Sequence, residues 1–174
     1  MRKLVVFLLI LVALPTIAQN KDSEHFKFLG IPICGTIQEF SKQLEEKGFK
    51  KVESSEVYRG IFDGNSAYLL LIKNTDLDFV YGVDITLNIV DKEKSYILNY
   101  QYDDLKVRLE HKYKGTFKKS KMGYDSMDVY IEDNFTGSIT IQIKEVVEGK
   151  SFLTLTYHDI LGLIRNSEYL DRDL

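Results

Sequence analysis

Residues 79–90 alternate between apolar and polar side chains with a period of two, and this pattern constrains the fold more than any other part of the chain. The apolar positions are Tyr81, Val83, Ile85, Leu87 and Ile89. Successive side chains of a β-strand point to opposite faces, so one face of this strand is expected to be buried and the other wet. Such a strand is typical of an antiparallel sheet covered on one side only.

The same period recurs on both sides of this strand. Before it, residues 52–59, 61–62 and 66–73 read as strand segments separated by Gly60 and by the turn Asp63-Gly64-Asn65. After it, three more strands are predicted near residues 127–132, 138–144 and 151–157. The chain is therefore expected to form an antiparallel sheet of six to seven strands.

A helix is predicted to begin after Thr36. Thr36 and Glu39 have the spacing of a capping box, and Ile37, Phe40 and Leu44 recur on one helical stripe. Gly48 suits the left-handed position that ends a helix, and Phe49 is then placed to contact Leu44.

A second helix is predicted over residues 95–114, with Tyr102, Leu105, Leu109 and Tyr113 on one stripe and Gly115 as its end. A short third helix is predicted near 159–167. The order helix, strands, helix, strands suggests a tandem repeat with halves 26–92 and 93–174. Under that interpretation the domain is α+β, and both main helices cover one face of a continuous sheet.

The N-terminal residues have the pattern of a secretory signal peptide. Arg2 and Lys3 precede an apolar run over residues 4–14, and Thr16-Ile17-Ala18 predicts cleavage after Ala18. The apolar run is too short to span a bilayer, so no transmembrane segment is expected in the mature chain. Residues 19–25 are polar and are interpreted as a flexible leader to a single domain over residues 26–174. The predicted location is periplasmic or secreted.

Net charge limits the classes of partner that the domain can bind, and cysteine content limits the ways in which its fold can be stabilised. Removal of residues 1–18 leaves 21 basic against 26 acidic residues, a net charge of −5. An acidic domain argues against a nucleic-acid partner, which requires a concentrated basic surface. Cys34 is the only cysteine, so no disulfide forms within the chain and the core alone must hold the fold.

Three stretches of the mature chain resemble a family of small exported bacterial proteins with a fold like that of the β-lactamase inhibitor proteins. They are Phe28-Leu29-Gly30-Ile31-Pro32-Ile33 with the helix that follows, Tyr102-Asp103-Asp104-Leu105-Lys106, and Tyr157-His158-Asp159. The shared residues are packing and capping residues, so the resemblance implies a fold and little about activity. The inhibitor proteins themselves carry disulfides that a chain with one cysteine cannot form.

No arrangement of residues indicates catalysis, a metal site or a cofactor site. His25, His111 and His158 are scattered, and none has a second ligand at metal-binding spacing. A hydrolase using Cys34 with His111 or His158 is the alternative that the composition leaves open.

The unusual feature of the composition is its aromatic content, with 11 tyrosines and ten phenylalanines. Tyr58, Tyr68 and Tyr130 fall on predicted strands, and tyrosine is enriched where proteins bind one another. We therefore interpret the chain as an exported, non-enzymatic module that engages a protein or peptide through the open face of its sheet, with these tyrosines as the candidate surface. A structural or assembly role in the cell envelope, with sheet edges pairing between copies, is the competing interpretation.

Overall fold

The computed structural model describes residues 25–53, 55–146 and 149–170. The predicted signal peptide and residues 19–24 of the predicted leader lie outside these residues. Within the described part, no helix combines the length and the apolarity that are needed to cross a membrane.

Over the described residues the fold is α+β, with three α-helices and an eight-stranded antiparallel sheet. A hairpin of β1 (Lys27–Phe28) and β2 (Ile31–Pro32) comes first. Helix α1 (Ile37–Glu46) is then followed by β3 (Lys50–Lys51), β4 (Val57–Phe62), β5 (Asn65–Asn74) and β6 (Phe79–Asp91). After a 3₁₀ turn, helix α2 (Tyr96–Tyr113) precedes β7 (Lys118–Lys119), β8 (Asp125–Ile131), β9 (Asn134–Val146) and β10 (Lys150–His158), and α3 (Ile160–Leu170) closes the described chain.

The order of strands across the sheet is β3-β4-β5-β6-β10-β9-β8-β7. We call α1 with β3–β6 the first half and α2 with β7–β10 the second half. Each half is one helix followed by four antiparallel strands, and the halves join where β6 pairs with β10. The sheet has eight strands instead of six to seven because a two-residue strand is added at each edge, too short to show a period.

Helix α1 begins and ends as predicted. Thr36 accepts a hydrogen bond from the backbone N–H of Glu39, whose carboxylate in turn accepts one from the backbone N–H of Thr36. At the other end, the N–H of Phe49 donates to the carbonyl of Leu44 at 3.1 Å, and Gly48 has the left-handed φ of 89°. Phe40 and Leu44 are fully buried, so capping and packing act on the same short helix.

Helix α2 differs from α1 both in its capping and in the distribution of its apolar residues. Ser95 makes no side-chain cap hydrogen bond at its start. Leu98, Leu105 and Leu109 are buried against the sheet, but the outer side of the helix also carries apolar residues. These are Tyr96, Tyr100 and Val107, which are 58%, 76% and 65% exposed.

Three glycines at predicted element boundaries have other roles in the structure. Gly60 lies inside β4, because a Cβ there would come within 2.6 Å of the Phe49 ring. Gly115 does not end α2, since Lys114 takes the left-handed conformation and Gly115 passes close to Met127. Gly137, directly before the strand predicted near residues 138–144, lies within β9, where a Cβ would meet the carbonyl oxygen of His158 at 2.0 Å.

The alternation predicted for residues 79–90 holds over most of β6 and then changes phase. Val83, Ile85 and Leu87 are buried, as predicted. Leu87 pairs with Leu153 but Val90 pairs with Ser151, so Asn88 and Ile89 together oppose one residue of β10. Because this bulge shifts the register by one residue, Ile89 is 53% exposed instead of buried.

Candidate functional site

The candidate site is the face of the sheet opposite α1 and α2, which we call the open face. Its side chains alternate along each long strand with the buried core residues, and all but Thr154 are exposed or half-buried. From β4 to β8 they are Val57, Arg59, Ile61, Ser66, Tyr68, Leu70, Ile72, Asp84, Thr86, Phe152, Thr154, Thr156, His158, Ser138, Thr140, Gln142, Lys144, Ser126, Asp128 and Tyr130.

The part of the open face on β4 and β5 is apolar. Ile61, Tyr68 and Leu70 are 65%, 39% and 43% exposed. Val57 lies directly opposite Leu70 in the ladder, and Arg59 lies opposite Tyr68. The Arg59 guanidinium stands 6.0 Å from the centre of the Tyr68 ring, which is within range of a cation–π interaction. We call this group of residues the β4–β5 patch.

The centre of the open face is polar and hydrogen-bonded across strands. The hydroxyl of Thr156 donates to Asp84 at 2.8 Å, and the hydroxyl of Thr154 donates to the carbonyl of Gln142 at 3.2 Å. His158 lies opposite Gly82 at the end of this row and is half-buried. Burial lowers the pKa of His158, and the nearby carboxylate of Asp84 opposes that shift.

The three candidate tyrosines do not form one cluster. Tyr58 is only 3% exposed, lies on the helix-covered face, and donates its hydroxyl to Ser41 on α1 at 2.6 Å. Its assignment to a binding surface is therefore a correction: Tyr58 pairs with the buried Leu69 of β5, so the two side chains share the helix-covered face. Tyr58 is a core residue that fastens α1 to the sheet.

Tyr68 and Tyr130 are both on the open face, but at opposite ends of it. Tyr130 is 56% exposed and stands edge-on to Phe135, with ring centres 5.8 Å apart. Three strands separate β5 from β8, which corresponds to about 19 Å between Tyr68 and Tyr130 at the usual strand spacing. The apolar neighbours Ile61 and Leu70, which the sequence reasoning did not select, make Tyr68 part of a continuous patch.

Residues considered for chemistry are dispersed over the fold. Cys34 is half-buried between β2 and α1, His111 is exposed on α2, and His158 ends β10. Among the described residues, no group of three or more histidines, cysteines or carboxylates is close enough to hold a metal ion.

One pairing involves His25, a residue that the sequence pattern places in the flexible leader and therefore does not select. Its Nδ1 lies 2.6 Å from the fully buried carboxylate of Asp159. Asp159 also accepts a hydrogen bond from the backbone N–H of Gly162 in the first turn of α3. An aspartate directly before an apolar helix is a capping signal that could have predicted the second contact.

A second polar cluster lies on the helix-covered side of the second half. Lys106 on α2 donates to Asp125 on β8 at 2.5 Å, and Asp125 is only 7% exposed. The hydrogen bond from Lys106, and after it one from Tyr102, lowers the pKa of Asp125. These residues hold α2 to the sheet and point away from the open face.

The chain was compared with protein-family models, with curated proteins and with solved structures, and none of them matches it.

Proposed function

We propose that this chain is an exported, non-enzymatic binding module that engages a protein or peptide through the β4–β5 patch of its open face. The observation that carries the proposal is the exposure of Ile61, Tyr68 and Leu70 side by side on the sheet face that neither main helix covers. Contiguous exposed apolar residues on a folded domain are a common mark of an interaction site.

The composition of the patch supports this use. A tyrosine and an arginine in contact, surrounded by aliphatic side chains, combine the residue types that dominate binding energy at protein interfaces. The neighbouring polar rows of β6 and β10 supply hydroxyl and carboxylate groups that could accept or donate hydrogen bonds at the rim. An interface with an apolar centre and a polar margin follows from that arrangement.

The export signal and the β-lactamase-inhibitor-protein-like fold belong to the same proposal. The pattern of residues 1–18 supports a periplasmic or secreted location. The arrangement of two helix-plus-four-strand halves in one sheet supports the resemblance in fold.

Pairing of sheet edges between copies is less well supported. The outermost strands of the sheet, β3 and β7, contain only two residues each, and all four of those residues are exposed lysines. Short edge strands bearing lysine are the usual protection against edge-to-edge pairing.

The test is a comparison of two triple variants in capture experiments from envelope extracts of the source cells. Ile61→Thr, Tyr68→Thr and Leu70→Thr together remove the apolar groups of the patch with residues that suit a strand. A partner held specifically by the wild-type chain should be lost from this variant, with a decrease in affinity of at least about tenfold.

The matched control removes as many exposed apolar groups from the outer side of α2. Tyr96→Gln, Tyr100→Gln and Val107→Gln together should leave capture unchanged, because these exposed residues belong to α2 and not to the β4–β5 patch. Equal loss of the partner in both variants, or retention in the patch variant, would contradict the proposal.

A further inference from the structure

A groove of about 350 Å³ lies on the helix-covered side of the molecule, between the N-terminal hairpin, the β4–β5 turn and α2. It is separate from the open face, so it does not depend on the function proposed above. Its size is at the lower end of the range found for small-molecule sites.

The floor of this groove is aromatic and largely built by buried rings. Phe28 and Phe62 are stacked with ring centres 5.7 Å apart and an angle of 15° between the rings. Tyr157 packs against Phe28 at 5.4 Å. Leu105 and Leu109 of α2 form the adjoining wall. A flat aromatic body would therefore find rings and aliphatic side chains on several sides.

Three cationic residues line the groove, and one of them is already neutralised. Arg108 binds both carboxylate oxygens of Asp63, at 2.6 and 2.5 Å, and also contacts Asp104. Lys27 and Lys112 are exposed and make no ion pair within the described part of the chain.

Asp63, the one acidic residue in the lining, is held by Arg108, so the two lysines leave an uncompensated positive charge on an otherwise acidic protein. The Lys112 ammonium instead stands 4.9 Å from the centre of the Tyr113 ring. A ligand with one negative charge would complement this side of the groove.

The hydroxyl of Tyr157 is the second polar feature. The residue is 3% exposed and lines the groove, yet its hydroxyl makes no hydrogen bond within the described part of the chain. Burial, together with nearby Tyr113 and Asp63, raises its pKa far above the usual range for tyrosine, so the hydroxyl stays protonated. Because the residue lines the groove, this hydroxyl can donate a hydrogen bond to an acceptor atom of a bound ligand.

We propose that this groove binds a small carboxylate with an aromatic body. The aromatic body packs on Phe28 and Phe62, the two lysines balance the negative charge, and the Tyr157 hydroxyl donates a hydrogen bond to the ligand. The apolar floor favours an aromatic body, and the two lysines without ion-pair partners favour an acid over a neutral aromatic compound.

In the test, the isotope-labelled protein is titrated with the probe 2-naphthoate, and binding is monitored by NMR chemical shifts. We expect saturable binding with a Kd on the order of 1 mM or tighter. The double variant Lys27→Gln/Lys112→Gln should weaken binding at least about fivefold. Tyr157→Phe, which removes one oxygen and keeps the ring, should also weaken it about fivefold.

Two controls make the outcome decisive. Lys118→Gln changes an exposed lysine on β7 outside the groove and should leave the Kd unchanged. The neutral 2-naphthamide should bind at least about fivefold more weakly than 2-naphthoate. Absence of saturable binding, equal binding of the amide, or an unchanged Kd in all groove variants would overturn the proposal.

Discussion

The two halves of the sheet have the same order of elements but are stabilised and exposed in different ways. The first half has a short helix with a complete capping box, and its part of the open face is apolar at Ile61, Tyr68 and Leu70. The second half has a longer helix with no side-chain cap. Its strands β8 and β9 present mainly polar residues on the open face, with Tyr130 as the exposed aromatic residue at the far end: Ser126, Asp128, Tyr130, Ser138, Thr140 and Gln142.

This difference shows that a common topology does not decide surface chemistry. The core side of both halves must be apolar for the helices to pack, and it is. The open face carries no such requirement, so each half can bear a different composition at little cost in stability. The contrast is the reason for placing the proposed binding function on the first half.

The largest effect is expected from the strand glycines, which occupy unlike positions in the two halves. In Gly137→Ala, the new methyl group would meet a backbone carbonyl oxygen of β10 at 2.0 Å. The strands must then separate, and we expect a loss of about 3 kcal/mol or more in the free energy of unfolding. Chemical denaturation measures it.

Gly60→Ala in the first half is the matched comparison. Its methyl group meets the Phe49 side chain at 2.6 Å, and a ring can move where a backbone cannot. We expect a smaller loss of about 1–2 kcal/mol. Equal losses for the two alanine variants would show that the β9–β10 contact is no more constrained than the packing of Phe49.

The next effect concerns the buried ion pair of the second half. Asp125→Asn leaves the Lys106 ammonium without its carboxylate partner, and we expect a loss of about 2 kcal/mol at neutral pH. The pair of Asp63 with Arg108 is more exposed, with side chains 32% and 47% accessible. Asp63→Asn should therefore cost less than about 1 kcal/mol.

The Asp125 pair also predicts a pH dependence. The hydrogen bond from Lys106 lowers the pKa of Asp125 in the folded state, so its contribution is present above the unfolded pKa of about 3.9. That contribution is lost as the pH falls through the lower folded value. Between pH 5 and pH 2 the wild-type stability should thus fall more steeply than that of Asp125→Asn; parallel curves would contradict the assignment.

A smaller effect should separate the two helix starts. Thr36→Ala removes the side chain that accepts the Glu39 N–H and should destabilise the protein by about 1 kcal/mol. Ser95→Ala at the start of α2 removes no cap hydrogen bond and should change stability by no more than about 0.5 kcal/mol. Thermal unfolding measures both variants. Similar losses of stability would mean that the capping hydrogen bond of α1 does not contribute measurably to the stability of the protein.

The smallest effect is expected at His158, where the two halves meet. Burial lowers its folded pKa, so the unfolded chain binds more protons as the pH falls through about 6.5. Stability is therefore complete above that pH and decreases below it. Between pH 7.5 and pH 5.5 the Tm of the His158→Gln variant should decrease less than the Tm of the wild type. An equal decrease would show that His158 has the same pKa in the folded and the unfolded chain.

Much of the fold could be predicted from local patterns. The capping box, the Gly48 end of α1 and the buried stripe of α2 follow from contacts within a few residues, so the sequence contains all of their information. The existence of an open face could be predicted, because strands in which apolar and polar residues alternate expose one face of the sheet to solvent. Its members could not, because the face on which Tyr58 lies depends on the register that pairs β4 with β5, a contact that the local pattern of β4 does not specify.

The chain by itself determined an α+β domain with two main helices on an antiparallel sheet, since periodicity and capping are local properties. Only the tertiary structure decided the β6 bulge that exposes Ile89, the pairing of His25 with Asp159, and the groove formed by Phe28, Arg108 and Tyr157. Each of these depends on residues far apart in the chain, and no short stretch of sequence specifies which distant strand or helix will stand beside it.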